Sequence, residues 1–72
     1  MGREPVDEVE RAERVCGELD SALRAAGIVL PSLGLDVASC ASVPPRPLVE
    51  LGRCRPETVK ALVAVVRAGS GR

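Results

Sequence analysis

Pro47-Leu48-Val49-Glu50-Leu51-Gly52-Arg53-Cys54-Arg55-Pro56-Glu57-Thr58-Val59, running on through Lys60-Ala61-Leu62-Val63-Ala64-Val65-Val66, reads as a short strand, a basic turn and a helix. Pro56 suits the first turn of a helix, where its missing N–H has no intrahelical partner to lose. Glu57 then sits favourably against the helix dipole. Val59, Leu62, Val63 and Val66 form the main apolar stripe, while Ala61, Ala64, Val65 and Ala68 carry apolar surface almost around the cylinder. Lys60 and Arg67 are left as its polar edge. So small a protein cannot easily cover a helix this apolar, and uncovered apolar surface asks for a partner.

Upstream of this stretch, from residue 28 to residue 52, the helical period is absent. Pro31, Gly34, Pro44, Pro45 and Pro47 punctuate short apolar pieces. Leu35, Val37 and Ser39 are expected on one face of a first strand and residues 48–51 in a second, making an antiparallel hairpin within residues 33–51. Pro44-Pro45-Arg46-Pro47 restricts ladder pairing and favours extended backbone, so it reads as a rigid loop rather than a polyproline docking motif.

Further upstream, Asp7-Glu8-Val9-Glu10 has the form of a helix start. Val9, Ala12, Cys16, Leu19, Leu23 and Ala26 follow at alternating steps of three and four, and Gly27 supplies a left-handed stop. Gly17 inside that pattern costs about 1 kcal/mol relative to Ala and suggests close approach by another element. The seam is too short to argue a coiled coil, so packing against the chain's own hairpin or second helix is preferred to dimerisation through it. The expected fold is α+β in a single small domain over residues 1–72: an N-terminal helix over 7–26, a short β-hairpin and a C-terminal helix over 56–68, in a two-layer arrangement. Residues 1–6 and 69–72 are expected to be flexible ends. Leu19, Leu23, Val49, Leu51, Val59, Leu62, Val63 and Val66 are the expected core and interface positions.

Composition sharpens the argument for a partner. A chain of 72 residues buries only roughly 60% of its unfolded surface. Phe, Tyr and Trp are all absent, so Leu, Val, Ile and Ala must supply nearly all the burial. Ordering costs about 1.5 kcal/mol per residue and leaves little surplus. Cys16, Cys40 and Cys54 are too widely spaced for a CxxC pair and His is absent, so no metal or other cofactor is expected. An odd cysteine count points to free thiols in a reducing compartment. The acid-rich first thirteen residues lack the apolar core of a signal peptide, and the apolar run 61–66 is too short to span a bilayer. The expectation is a soluble, cytoplasmic protein without a membrane partner.

The net charge of zero conceals a division: residues 1–45 carry eight acids against four bases, and residues 46–72 carry two acids against six bases. Such halves attract one another within the fold or between subunits, or offer a basic surface to nucleic acid. The usual nucleophile–base arrangements are unavailable without His, and the carboxylates cluster on a solvated helix face, so no enzyme and no catalytic residue is expected. Neither a P-loop nor a dinucleotide-binding glycine pattern occurs. Gly52-Arg53-Cys54-Arg55, leading into a helix N-terminus, is the best candidate for contact with a phosphate or carboxylate. Glu57 already supplies a negative group there.

Two resemblances fall on the opening stretch. Leu48-Val49-Glu50-Leu51-Gly52-Arg53-Cys54, followed by Thr58 and an Ala/Leu/Val helix, resembles small uncharacterised proteins of arginine-rich, high-GC actinobacteria. That resemblance covers residues 23–68 and implies no established activity. Glu50-Leu51-Gly52-Arg53-Cys54-Arg55-Pro56-Glu57-Thr58-Val59-Lys60-Ala61-Leu62 resembles the closing section of Cro/repressor-type helix-turn-helix domains, where a Glu-x-Gly-Arg stretch and a Pro-Glu-Thr start precede the last helix. That family needs two central helices upstream, one of them for the major groove, where this chain has Pro31, Pro44, Pro45 and Pro47. The expected function is a non-enzymatic protein–protein interaction or regulatory module, dimeric, acting through Val59, Leu62, Val63, Val65 and Val66. The alternative is a small nucleic-acid-binding regulator using Arg46, Arg53, Arg55, Lys60 and Arg67.

Overall fold

A computed structural model describes residues 5–70 of the chain, with side chains from residue 7 onward. The order of elements is α1 (Pro5–Ala25), β1 (Gly34–Leu35), α2 (Val37–Ala41), β2 (Val49–Glu50) and α3 (Pro56–Ser70). This is the α+β arrangement expected from the sequence, an N-terminal helix, a two-stranded antiparallel sheet and a C-terminal helix, with one short helix added between the strands.

The seam of α1 lies inward as its period requires: Val9, Ala12, Cys16 and Leu19 are half-buried and Leu23 is buried, while Ala26 is exposed. Asp20 and Arg24 form an exposed i,i+4 ion pair at 2.9 Å, of the kind that contributes a few tenths of a kcal/mol. The helix stops at Gly27, whose φ is 80°. The Gly27 N–H donates to Arg24 O at 2.9 Å and the Ile28 N–H to Leu23 O at 2.8 Å, a Schellman closure that satisfies the last carbonyls. The same turn sets Ile28 beside Leu23 in the core.

Gly17 does not mark a close approach. It is exposed, and a Cβ built on it meets nothing within 4 Å. It therefore only weakens the helix. Gly17→Ala is expected to stabilise the protein by about 1 kcal/mol, raising Tm by about 4–8 °C in thermal circular dichroism; an unchanged or lower Tm would contradict this.

Leu23, Ile28 and Leu30 form the buried core, with Leu19, Leu33, Cys54, Ala61 and Leu62 packed against it. The other expected core and interface positions lie outside this cluster. Val49, Leu51, Val59, Val63 and Val66 are exposed. The ladder is only two residues long in each strand, both β2 residues are exposed, and the turn after Gly27 returns Ile28 and Leu30 to the core centre first.

The expected first strand is also shorter than its alternation suggested. It ends at Leu35, and Val37 to Ser39 belong to α2. Ser39 explains the switch. Its Oγ donates to Asp36 O at 2.6 Å, and the Ser39 and Cys40 N–H groups donate to the same carbonyl. Local bonds of this kind offer the backbone an alternative to a ladder. Ser39 then clasps the proline loop: the Leu48 N–H donates to its Oγ at 2.9 Å, and the Arg46 N–H donates to its carbonyl at 3.1 Å.

The strands pair Gly34 with Glu50 and Leu35 with Val49. Continuing that register sets Gly52 opposite Ser32. Gly52 has φ 80°, and a Cβ on it would lie 2.5 Å from Ser32 Cβ, so both the turn and the close approach require glycine. From there the chain enters α3, where the Thr58 and Val59 N–H groups donate to Arg55 O at 2.9 and 3.1 Å. Residues 69 and 70, expected in a flexible tail, continue the helix, and Ser70 Oγ donates to Val66 O at 2.6 Å. At the other end, residues 5 and 6 are helical; residues 1–4 and 71–72 of the expected flexible ends lie outside the described residues. The molecule measures 40 × 27 × 16 Å, with a radius of gyration of 14.5 Å, against about 11 Å for a compact domain of this length.

Candidate functional site

At about 100° per residue, Val59, Val63 and Val66 fall within one narrow sector of α3. They are 47%, 42% and 63% exposed, so the sector is an uncovered apolar ridge. The inward side of the helix is a different sector, holding the half-buried Thr58, Ala61 and Leu62. Leu62, grouped by the sequence with the partner-facing residues, thus anchors α3 to the core. Val65 continues this inward line one turn further but is 40% exposed, because α3 extends beyond the part of the fold that covers it. Lys60 and Arg67, both exposed, lie seven residues apart along the outer flank of the ridge.

Two of the candidate basic residues meet at the other end of α3. Arg53 and Arg55 line an open cleft of about 520 Å³ with Val29, Pro31, Cys54 and Thr58. Its backbone donors are largely spent: Pro56 has no N–H, and the Thr58 and Val59 N–H groups already donate to Arg55 O. Guanidinium groups, set against the apolar side chains of Val29 and Pro31, are what this cleft offers an anion. Arg46 stands apart in the proline loop, tied through its N–H to Ser39 O. The five basic residues therefore divide among the cleft, the flank of α3 and the loop.

A second apolar surface escaped the sequence reading. Ala12 and Val15 of α1, with Pro47 and Val49, line a groove of about 230 Å³ bordered by Glu8 and Arg11. Val15 is exposed. Its one local signal is a large aliphatic side chain outside the α1 seam; Pro47 and Val49 reach the groove only through the pairing of β2 with β1.

Cys16, Cys40 and Cys54 are free and half-buried. Among the described residues there is no group of three or more metal-ligating side chains, and no helix is long and apolar enough to cross a membrane. The segment that resembles the closing part of helix-turn-helix domains comprises the end of β2, the Gly52 turn and the first half of α3. Comparison of the chain with protein-family models, with curated proteins and with solved structures finds no match.

Proposed function

We propose that this protein is a non-enzymatic interaction or regulatory module that binds a protein through the valine ridge of α3. The observation that carries the proposal is the exposure of Val59, Val63, Val65 and Val66 on one helix, where the core among the described residues holds three buried side chains. An apolar helix face of this kind fits a groove or a second helix in a partner, read at i, i+4 and i+7. A cytoplasmic setting accords with three free thiols.

A photo-reactive residue placed at position 63 is expected to crosslink to protein in cells of the native host, and one placed at the exposed Ser21 of α1 is not. Equal labelling at both positions, or none at position 63, would overturn the proposal.

The grouping of Arg53 and Arg55 in one cleft supports a second reading, a small nucleic-acid-binding regulator. It predicts retention on DNA or RNA that falls steeply between about 50 and 200 mM salt and is lost in Arg53→Glu/Arg55→Glu. Absence of salt-sensitive retention removes it.

A further inference from the structure

We infer that the outer edge of β2, with the groove beside it, takes an extended strand of a partner protein, apolar at two alternate positions and basic at the position between them. This surface is separate from the α3 ridge. Hydrogen bonding defines its shape. Gly34 pairs with Glu50 and Leu35 with Val49, and the Asp36 N–H donates to Leu48 O, so Leu48 and Glu50 turn their backbone groups toward β1. By the alternation of an antiparallel ladder, Val49 and Leu51 turn their N–H and C=O groups the other way. Among the described residues those groups have no partner. Free donors and acceptors at every second residue of an extended segment are what another strand satisfies. β1 is the more covered side of the sheet: Leu33, Gly34 and Leu35 are half-buried, whereas Val49 and Leu51 are exposed.

Side chains on the two faces of the sheet state the chemistry of that strand. Val49 shares the groove with Ala12, Val15 and Pro47, and Leu51, two residues on, lies on the same face. α1 packs chiefly against β1, which leaves the β2 side of this face open. A strand added about 4.8 Å beyond β2 sets two apolar side chains beside Val49 and Leu51. Glu50 lies on the opposite face and selects the residue between them. Its opposite on β1 is Gly34, which has no side chain, and Asp36 stands diagonal to it on the same face. Neither carboxylate has an ion-pair partner among the described residues. In an added antiparallel strand one side chain lies directly beside Glu50 in a close, non-hydrogen-bonded pair, where Lys or Arg is favoured.

A second copy of the chain does not meet these terms. Two β2 edges paired antiparallel about Glu50 set Glu50 opposite Glu50, which is destabilising. The neighbouring registers bring in Pro47, which lacks an N–H, or Gly52, whose φ of 80° leaves the strand.

Titrating the isotope-labelled full chain with the acetylated and amidated pentapeptide Thr-Val-Lys-Val-Thr, followed by NMR, tests this. Millimolar peptide is expected to shift the amides of Val49, Leu51 and Val15 saturably and to slow amide exchange at Val49 and Leu51. Methylating the backbone nitrogens of both peptide valines, which face β2, is expected to abolish binding. Methylating the lysine nitrogen, which faces away, is expected to leave it unchanged. Replacing the peptide lysine by glutamate should weaken binding by about fivefold, and Glu50→Lys should reverse the order of the two peptides. No saturable shift at Val49 and Leu51, shifts centred on α3, indifference to methylation of the valines, or an unreversed order in Glu50→Lys each overturns the inference. Self-association that protects Val49 and Leu51 without peptide also overturns it, since the added strand is then a second copy. Crosslinking at position 63 is read separately, so the α3 proposal stands or falls by its own result.

Discussion

Gly52→Ala is expected to bring the protein to the edge of unfolding. With φ at 80°, an L-residue costs about 1–2 kcal/mol in left-handed geometry. The new Cβ would also lie 2.5 Å from Ser32 Cβ and 3.1 Å from the Ser32 carbonyl carbon, and forced overpacking adds about 1–3 kcal/mol. Together these approach the roughly 3–5 kcal/mol that a core in a chain this short supplies. Urea denaturation followed by circular dichroism is expected to show the midpoint falling by at least half. Adding Ser32→Gly should recover part of the loss, since it removes the side-chain overlap but neither the φ cost nor the approach to the Ser32 backbone. A Gly52→Ala midpoint equal to wild type would show that the turn does not hold the strand pair as described.

Truncating the core is the second large effect. Ile28 is 3% exposed and shares the core with Leu23 and Leu30. Ile28→Ala is expected to cost about 2–5 kcal/mol, the loss of burial plus the cavity left behind. Its side chain also packs beside Leu23 across the closure at Gly27, so the substitution loosens the end of α1 as well. Ile28→Val should cost about 0.5–1.5 kcal/mol, and Val66→Ala, at a surface position, within about 0.5 kcal/mol. Thermal unfolding of the three variants should rank them in that order; an Ile28→Ala protein as stable as Val66→Ala would place the core elsewhere.

Much of the candidate site was legible because it lies within one element. Val59, Val63 and Val66 repeat at helical spacing, so their shared face follows from the period alone, and Lys60 and Arg67 follow as its flank. Arg53 and Arg55 were legible as a basic turn before a helix. Their cleft was not, because its apolar wall comes from Val29 and Pro31, more than twenty residues earlier. The groove holding Val15 and Val49 was hidden for the same reason. Val37 and Ser39 misled differently: their alternation fits a strand, but the hydroxyl of Ser39 bonds Asp36 O and turns the backbone into α2.

α1 and α3, the glycine stop at Gly27, the proline start at Pro56 and the α+β class all follow from the order of residues alone. Each rests on requirements satisfied within a few residues: a period, a φ, a missing N–H. The packing of distant segments, by contrast, sets Ile28 and Leu30 in the core in place of Val49 and Leu51, turns Leu62 inward and leaves the valines of α3 uncovered. Burial depends on which distant surfaces meet, and a two-residue ladder with no aromatic side chains covers too little area for the apolar pattern alone to settle which residues it shelters.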